Sequence, residues 1–134
     1  MLLVAMLFAG CATKTAKNDQ DDFTMLQIAG VEIHNGLAYA IQDVIIKVPA
    51  SGDFVSCGAV LPESSCATSF PLRDYRGNKV QVIWKEHGQE FSTAEFRLTP
   101  PASSKPGQEA YIRVEVFAEG QAGAKLVLLQ ARAE

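Results

Sequence analysis

The sequence predicts an all-β protein, a small antiparallel β-sandwich, and three observations carry that prediction. Apolar and polar residues alternate with a period of two in run after run after Phe23. Turn-forming Gly, Pro, Asn and Asp separate those runs at intervals of about eight to twelve residues, the spacing of short sandwich strands. No stretch beyond residue 22 shows the 3.6-residue periodicity of an amphipathic helix.

The elements follow in order. Leu26 and Ile28 share one parity while Val31 and Ile33 share the other. The switch at Ala29-Gly30 therefore predicts a bulge that turns the inward face over. Asn35-Gly36 reads as a turn, and Leu37–Ala40 as one helical turn or an extended crossing. Val44, Ile46 and Val48 form a strand that Pro49 and Ser51-Gly52 end. Phe54–Val60 comes next, with Val55, Cys57 and Ala59 on one parity. Leu61–Ser64 supplies a turn, and Cys66, Thr68 and Phe70 begin the return.

Arg73–Asn78 is a polar turn, and the clearest strand follows it, with Val80, Val82 and Trp84 facing one way. His87-Gly88 turns the chain into Phe91–Leu98, where Phe96 and Leu98 point inward. Thr99–Gly107 is a proline-stiffened loop. Ile112, Val114 and Val116 alternate with Arg113 and Glu115, Gly120–Gly123 turns again, and Ala124–Gln130 is the last strand.

The N-terminus is of another kind. Met1–Gly10 is an apolar run of ten residues, and a membrane-spanning helix needs about 20. Its end, Leu7-Phe8-Ala9-Gly10-Cys11, resembles the lipobox of bacterial lipoproteins, with small residues before a cysteine whose thiol can be acylated. The pattern departs from the family's in having Phe8 where Leu is usual, and in having no Lys or Arg before the run. The second departure points to a start upstream of Met1. The resemblance implies a signal peptide over 1–10 and a lipidated Cys11; polar composition then makes 11–22 a tether, and alternation makes 23–134 the sandwich. Ala12 after the cysteine, in place of the family's retention Asp, favours the outer membrane, facing the periplasm.

Of the other cysteines, Cys57 and Cys66 make an even pair in an oxidising compartment, which predicts a disulfide across a hairpin connection. Trp84 on a central strand makes the domain look immunoglobulin-like or fibronectin type III-like in architecture only. The two cysteines read as too close in sequence for the inter-sheet bridge of antibody domains.

Composition and motifs narrow the chemistry. Charged residues are 20% of the chain and the net charge is −3. Basic residues are scattered singly, so a phosphate-tracking nucleic-acid surface is not expected. Asp19, Asp21 and Asp22 lack EF-hand spacing and read as solvated tether. No nucleophile elbow, H-E-x-x-H or phosphate loop is present. His34 and His87 with Cys57 and Cys66 have zinc-ligand types but no close-pair spacing, so no metal and no cofactor is expected.

The expected function is accordingly a non-enzymatic binding or envelope-assembly module, its partner another cell-envelope protein or the cell wall. Candidate contacts are Arg73, Tyr75 and Arg76 in one loop and His87 in another, with Tyr75 also readable as a plug at the sandwich edge. The Ile112–Phe117 strand would accept an added strand if it lay at a sheet edge. Alternatives are carbohydrate or small-ligand binding through Tyr39, Tyr75 and Tyr111, and a redox or metal role through Cys57 and Cys66.

Overall fold

The computed structural model describes residues 26–129. Eight strands follow one another: β1 (Gln27–Asn35), β2 (Ile41–Val48), β3 (Asp53–Val60), β4 (Ser64–Asp74), β5 (Gln81–Glu86), β6 (Gln89–Ser92), β7 (Glu109–Ala118) and β8 (Gln121–Leu128). They form two four-stranded sheets, ordered β4-β1-β7-β8 and β3-β2-β5-β6, and no helix occurs among the described residues. The all-β sandwich expected from alternation is the fold. The apolar run, Cys11, the tether with Asp19, Asp21 and Asp22, Phe23 and the end of the last strand at Gln130 lie outside the described residues.

Alternation builds the core directly, because successive side chains of a strand point to opposite faces. Leu26, Ile33, Val114 and Val116 from one sheet meet Ile41, Val44, Val82 and Trp84 from the other, all fully buried. The parity switch in β1 is real: its register against β4 and β7 shifts between Ile28 and Gly30. Gly30 is required there, since a Cβ would run into the Thr68 carbonyl oxygen of the neighbouring strand. A second irregularity lies in β2, where Asp43 takes a φ of 52° and the register against β5 slips between Gln42 and Ile45. That slip carries Ile41 and Val44, three residues apart, onto the same inward face.

Several local expectations change. β1 and β7 pair in parallel, the one parallel pair among otherwise antiparallel neighbours, and the pairing places β7 inside its sheet. Ile112–Phe117 is therefore not an edge. Leu37–Ala40 is a bend crossing between sheets, without a helical turn. Arg73 and Asp74 belong to β4, because Asp74 still pairs with Gln27. The strand expected over Phe91–Leu98 stops at Ser92, and Phe96 keeps only an isolated bridge to Val80. β8 begins at Gln121, earlier than expected, so its turn is Glu119-Gly120 alone.

Cys57 and Cys66 are bonded, with Cα atoms 6.4 Å apart. Their strands are consecutive but lie in different sheets, so the bond joins the edge strand of one sheet to the edge strand of the other. The expected intra-sheet hairpin is thus an inter-sheet staple. The short connection 61–63 crosses the sandwich, and a nine-residue separation suffices to bridge it.

Candidate functional site

The two ends of the sandwich are built differently. At one end lie the turns 36–40, 61–63, 87–88 and 119–120; at the other lie the loops 49–52, 75–80 and 93–108 with Leu26 and Leu129, the first and last described residues.

The first end is closed by two buried polar side chains. Asn35, fully buried, donates from Nδ2 to the carbonyls of Tyr39, Val60 and Leu61 at 2.8, 3.0 and 3.2 Å, and its Oδ1 accepts from the Leu37 amide at 2.9 Å. One side chain thereby fixes two inter-sheet crossings. Glu86, 2% exposed, accepts from Trp84 Nε1 at 2.8 Å, the Tyr39 hydroxyl at 2.7 Å and the Gly120 amide at 2.9 Å. Burial by itself pushes this carboxyl up, but the three hydrogen bonds and the neighbouring His87 together outweigh it and hold the group below its ordinary value of 4.5. The Tyr39 phenol is pushed up to about 12, first by its bond to that carboxylate, then by burial and by the charges of Glu86 and Glu119. Three of this carboxylate's roughly four acceptor sites are taken by donors from its own fold. It is a structural hub.

The other end is open along one side. Below the disulfide, the edge strands β3 and β4 part and leave a cleft of about 840 Å³ between the sheets. Ile46, Val48 and Val55 line it from one sheet, and Ile28, Val31 and Phe70 from the other. Tyr75, Val80 and Leu98 complete the lining, and Phe54 and Leu72 stand exposed at the rim. The edges are tied a second time by an ion pair between Arg73 and Asp53 at 3.0 Å, both groups more than half exposed. The cleft is therefore bounded by a covalent clasp on one side and a weak, solvated one on the other. Apolar walls, a polar rim and a volume inside the range of about 300–1,000 Å³ typical of ligand sites make it the candidate site.

The expected contact residues divide accordingly. Arg73 and Arg76 are exposed and line the cleft, whereas His87 lies at the closed end, on a turn, its ring 4.3 Å from that of Tyr39. Tyr75 is the plug: it is buried, and its hydroxyl donates to the Leu98 carbonyl. Burial pushes its phenol up. It can shape the cleft floor but presents no exposed contact. Tyr39, Tyr75 and Tyr111 share no face; Tyr111 stands on the outward parity of Arg113. His34 bonds Ser65 Oγ through Nδ1 at 2.9 Å on the outer face of the β4-β1-β7-β8 sheet, one register step from Cys66 but on the opposite face from it. Among the described residues no group of three His, Cys, Asp or Glu side chains is placed to hold a metal ion.

Sequence reading missed Phe54 and Leu72 at the cleft rim, and it gave Glu86 no role. Parity was a signal at Phe54 alone, a large apolar residue on the outward parity of Ser56 where a polar residue is expected; Leu72 shares the parity of Thr68 and Phe70 and carries no such mark.

Fold and site together define a small two-sheet β-sandwich with a lateral apolar cleft. No family model matches the chain, and no curated protein matches it. An NMR structure of a protein from Eubacterium rectale is similar at a TM-score of 0.45 and 11% identity, covering 89% of this chain and 100% of that one. That likeness is too slight to carry an argument.

Proposed function

We propose that the chain is a bacterial lipoprotein, an immunoglobulin-like sandwich held through acylated Cys11 on the periplasmic face of the outer membrane. In this reading it acts as a non-enzymatic binding or envelope-assembly module. Its partner is another envelope protein, which supplies an extended apolar segment to the β3–β4 cleft. The observation that carries the reading is the cleft itself, apolar within and flanked by the free edge of β3.

That edge supports strand addition specifically. Exposed edges in natural sheets are usually blunted by brevity, by Pro, by Lys or by bulges. Here β6 is four residues long, β8 carries Lys125, and β4 carries Pro71 and Arg73. From Phe54 to Val60, β3 carries no charge and no proline, and among the described residues it pairs only with β2. A strand added to β3 would gain main-chain hydrogen bonds and place alternate side chains in the cleft.

A photo-crosslinking side chain at position 54, in cells, tests this. It should trap one envelope protein through an apolar segment identified by mass spectrometry, and Val55→Lys should abolish the adduct. The same probe at Glu119 should trap nothing. Equal trapping from both positions, or an adduct insensitive to Val55→Lys, would remove the cleft as the site. The anchor is tested separately: protein extracted from membranes should have the mass of a chain starting at Cys11 plus acyl groups, and should gain two hydrogens on reduction.

A further inference from the structure

We propose that the end of the sandwich bearing Leu26 and loops 75–80 and 93–108 is itself a docking surface for anionic phospholipid. The two ends of the molecule differ in charge although the whole chain is nearly balanced. Loops 75–80 and 93–108 carry Arg76, Lys79, Arg97 and Lys105, all exposed, against Glu95 within the loops and the exposed Asp53, Asp74 and Glu109 on the strand ends beside them. The turns at the opposite end carry Glu63 and Glu119 and no Lys or Arg. Among the described residues, Lys79, Arg97 and Lys105 make no ion pair, and Arg76 makes only a 3.5 Å contact with exposed Asp74.

Part of the surface is held in shape. The loop bearing Lys105 is closed on itself by Gln108, whose amide donates to the Lys105 carbonyl at 3.1 Å while its side-chain oxygen accepts from the Lys105 amide at 3.0 Å. Ser104 donates from its amide to the Pro101 carbonyl at 3.0 Å. The basic side chains are thus presented from a braced loop and from loop 75–80, which the Tyr75 amide ties to the Leu26 carbonyl at 2.8 Å.

Position identifies the partner. The chain enters the domain at Leu26, beside these loops, and about fifteen residues separate Leu26 from Cys11, a reach of at most roughly 50 Å. With Cys11 acylated, the basic end is the one nearest the point of attachment along the chain. Lys and Arg near an anionic bilayer surface each strengthen binding about fivefold at ordinary ionic strength, and an acyl chain joined to a basic patch anchors far better than either does alone. The choice of lipid over other anions rests on that anchored reading; the charge asymmetry does not.

The test uses the chain from residue 11 with Cys11→Ser, so that neither an acyl group nor the apolar run Met1–Gly10 contributes, and sedimentation with vesicles. Binding should be stronger to phosphatidylglycerol–phosphatidylcholine vesicles than to phosphatidylcholine alone, and the difference should vanish at high salt. Lys79→Gln with Arg97→Gln should weaken the anionic-specific part about 25-fold, while Glu63→Gln with Glu119→Gln at the opposite end should not weaken it. Equal binding to both vesicle types would overturn the proposal, as would anionic preference that survives Lys79→Gln with Arg97→Gln. Preference that emerges only after Asp19, Asp21 and Asp22 are changed to Asn would also overturn it, showing the acidic leader to be what the patch meets. Circular dichroism confirms that each variant is folded. Failure here leaves acylation at Cys11, read by mass, and trapping at position 54 standing on their own results.

Discussion

Glu86 shows how one side chain can set the behaviour of an entire end of the fold. Its Oε2 takes the Trp84 and Gly120 donors and its Oε1 takes Tyr39. Glu86→Gln can keep the first two bonds if its amide nitrogen turns to Tyr39, whose hydroxyl then accepts. The expected cost is about 1–2 kcal/mol, the difference between charge-assisted and neutral bonds. In near-ultraviolet titration the Tyr39 phenol should ionise at about 12 in the native protein and move back towards 10 in Glu86→Gln. A Tyr39 titration unchanged by the substitution would show that the carboxylate does not govern it. The two groups also frame the pH range of stability. Glu86 binds its proton less readily when folded, so its contribution is complete above 4.5 and is lost as pH falls through the lower folded value. Tyr39 holds its proton more tightly when folded, so its contribution is complete below 10 and is lost as pH rises towards 12. Asn35 has no such titration, but Asn35→Ala would leave three carbonyls and one amide short of a partner. Denaturant unfolding should show a loss of about 3 kcal/mol or more, and a loss under 1 would mean that water replaces the side chain. Neither residue was legible as a hub. Asn35 precedes Gly36 and so reads as a turn, and Glu86 stands among polar residues and so reads as a loop, because burial of a polar group depends on partners remote in sequence.

At the scale of the strand, the sequence was most informative where a local rule was broken. The parity switch at Ala29-Gly30 identified the β1 bulge correctly, since only an inserted residue lets both apolar pairs face one core. Trp84 on a central strand and the pairing of Cys57 with Cys66 were legible for similar reasons, one from alternation and one from parity of thiol number. The sheet to which each strand belongs was not. A short connection such as 61–63 is compatible with a hairpin or a crossing, and the parallel β1–β7 pair joins strands more than 70 residues apart without any local mark. The cleft inherits that invisibility, as it exists only because β3 and β4 fall in different sheets. Two glycine substitutions separate these kinds of information. Gly30→Ala must displace the β4 backbone at Thr68 and should cost about 1–3 kcal/mol. Gly58→Ala, on the free edge of β3 with nothing within 4 Å of the added methyl, should be neutral or stabilise by up to about 1 kcal/mol. Thermal or denaturant unfolding of both variants checks the contrast, and equal effects would mean that the bulge accommodates a side chain.

For the whole molecule, the asymmetry between a closed end and an open one has a dynamic consequence. Ligand-binding segments are drawn from the less stable parts of a fold, where few apolar contacts and solvated bonds hold the backbone. The closed end has the opposite character, with Asn35, Glu86 and fully buried Trp84 joining strands of both sheets. In native-state hydrogen exchange the amides of Leu37 and Gly120 should therefore exchange only with global unfolding. Amides of Phe54–Ser56 and of Phe70, Leu72 and Arg73 should exchange through local opening, at a free energy well below the global value. The disulfide sits between these regimes. Closing a loop of about ten residues contributes somewhat under 3 kcal/mol on the chain-entropy view, and its position gives it a second role, setting where the two edges begin to part. Cys57→Ser with Cys66→Ser should lower global stability by about that amount. It should also extend local opening up β3 and β4 towards Val60 and Ser64, while leaving Leu37 and Gly120 at the new global limit. Uniform protection along β3 and β4 in the native protein would contradict the division into a rigid end and an accessible one, and would leave the cleft without the freedom to admit an added strand.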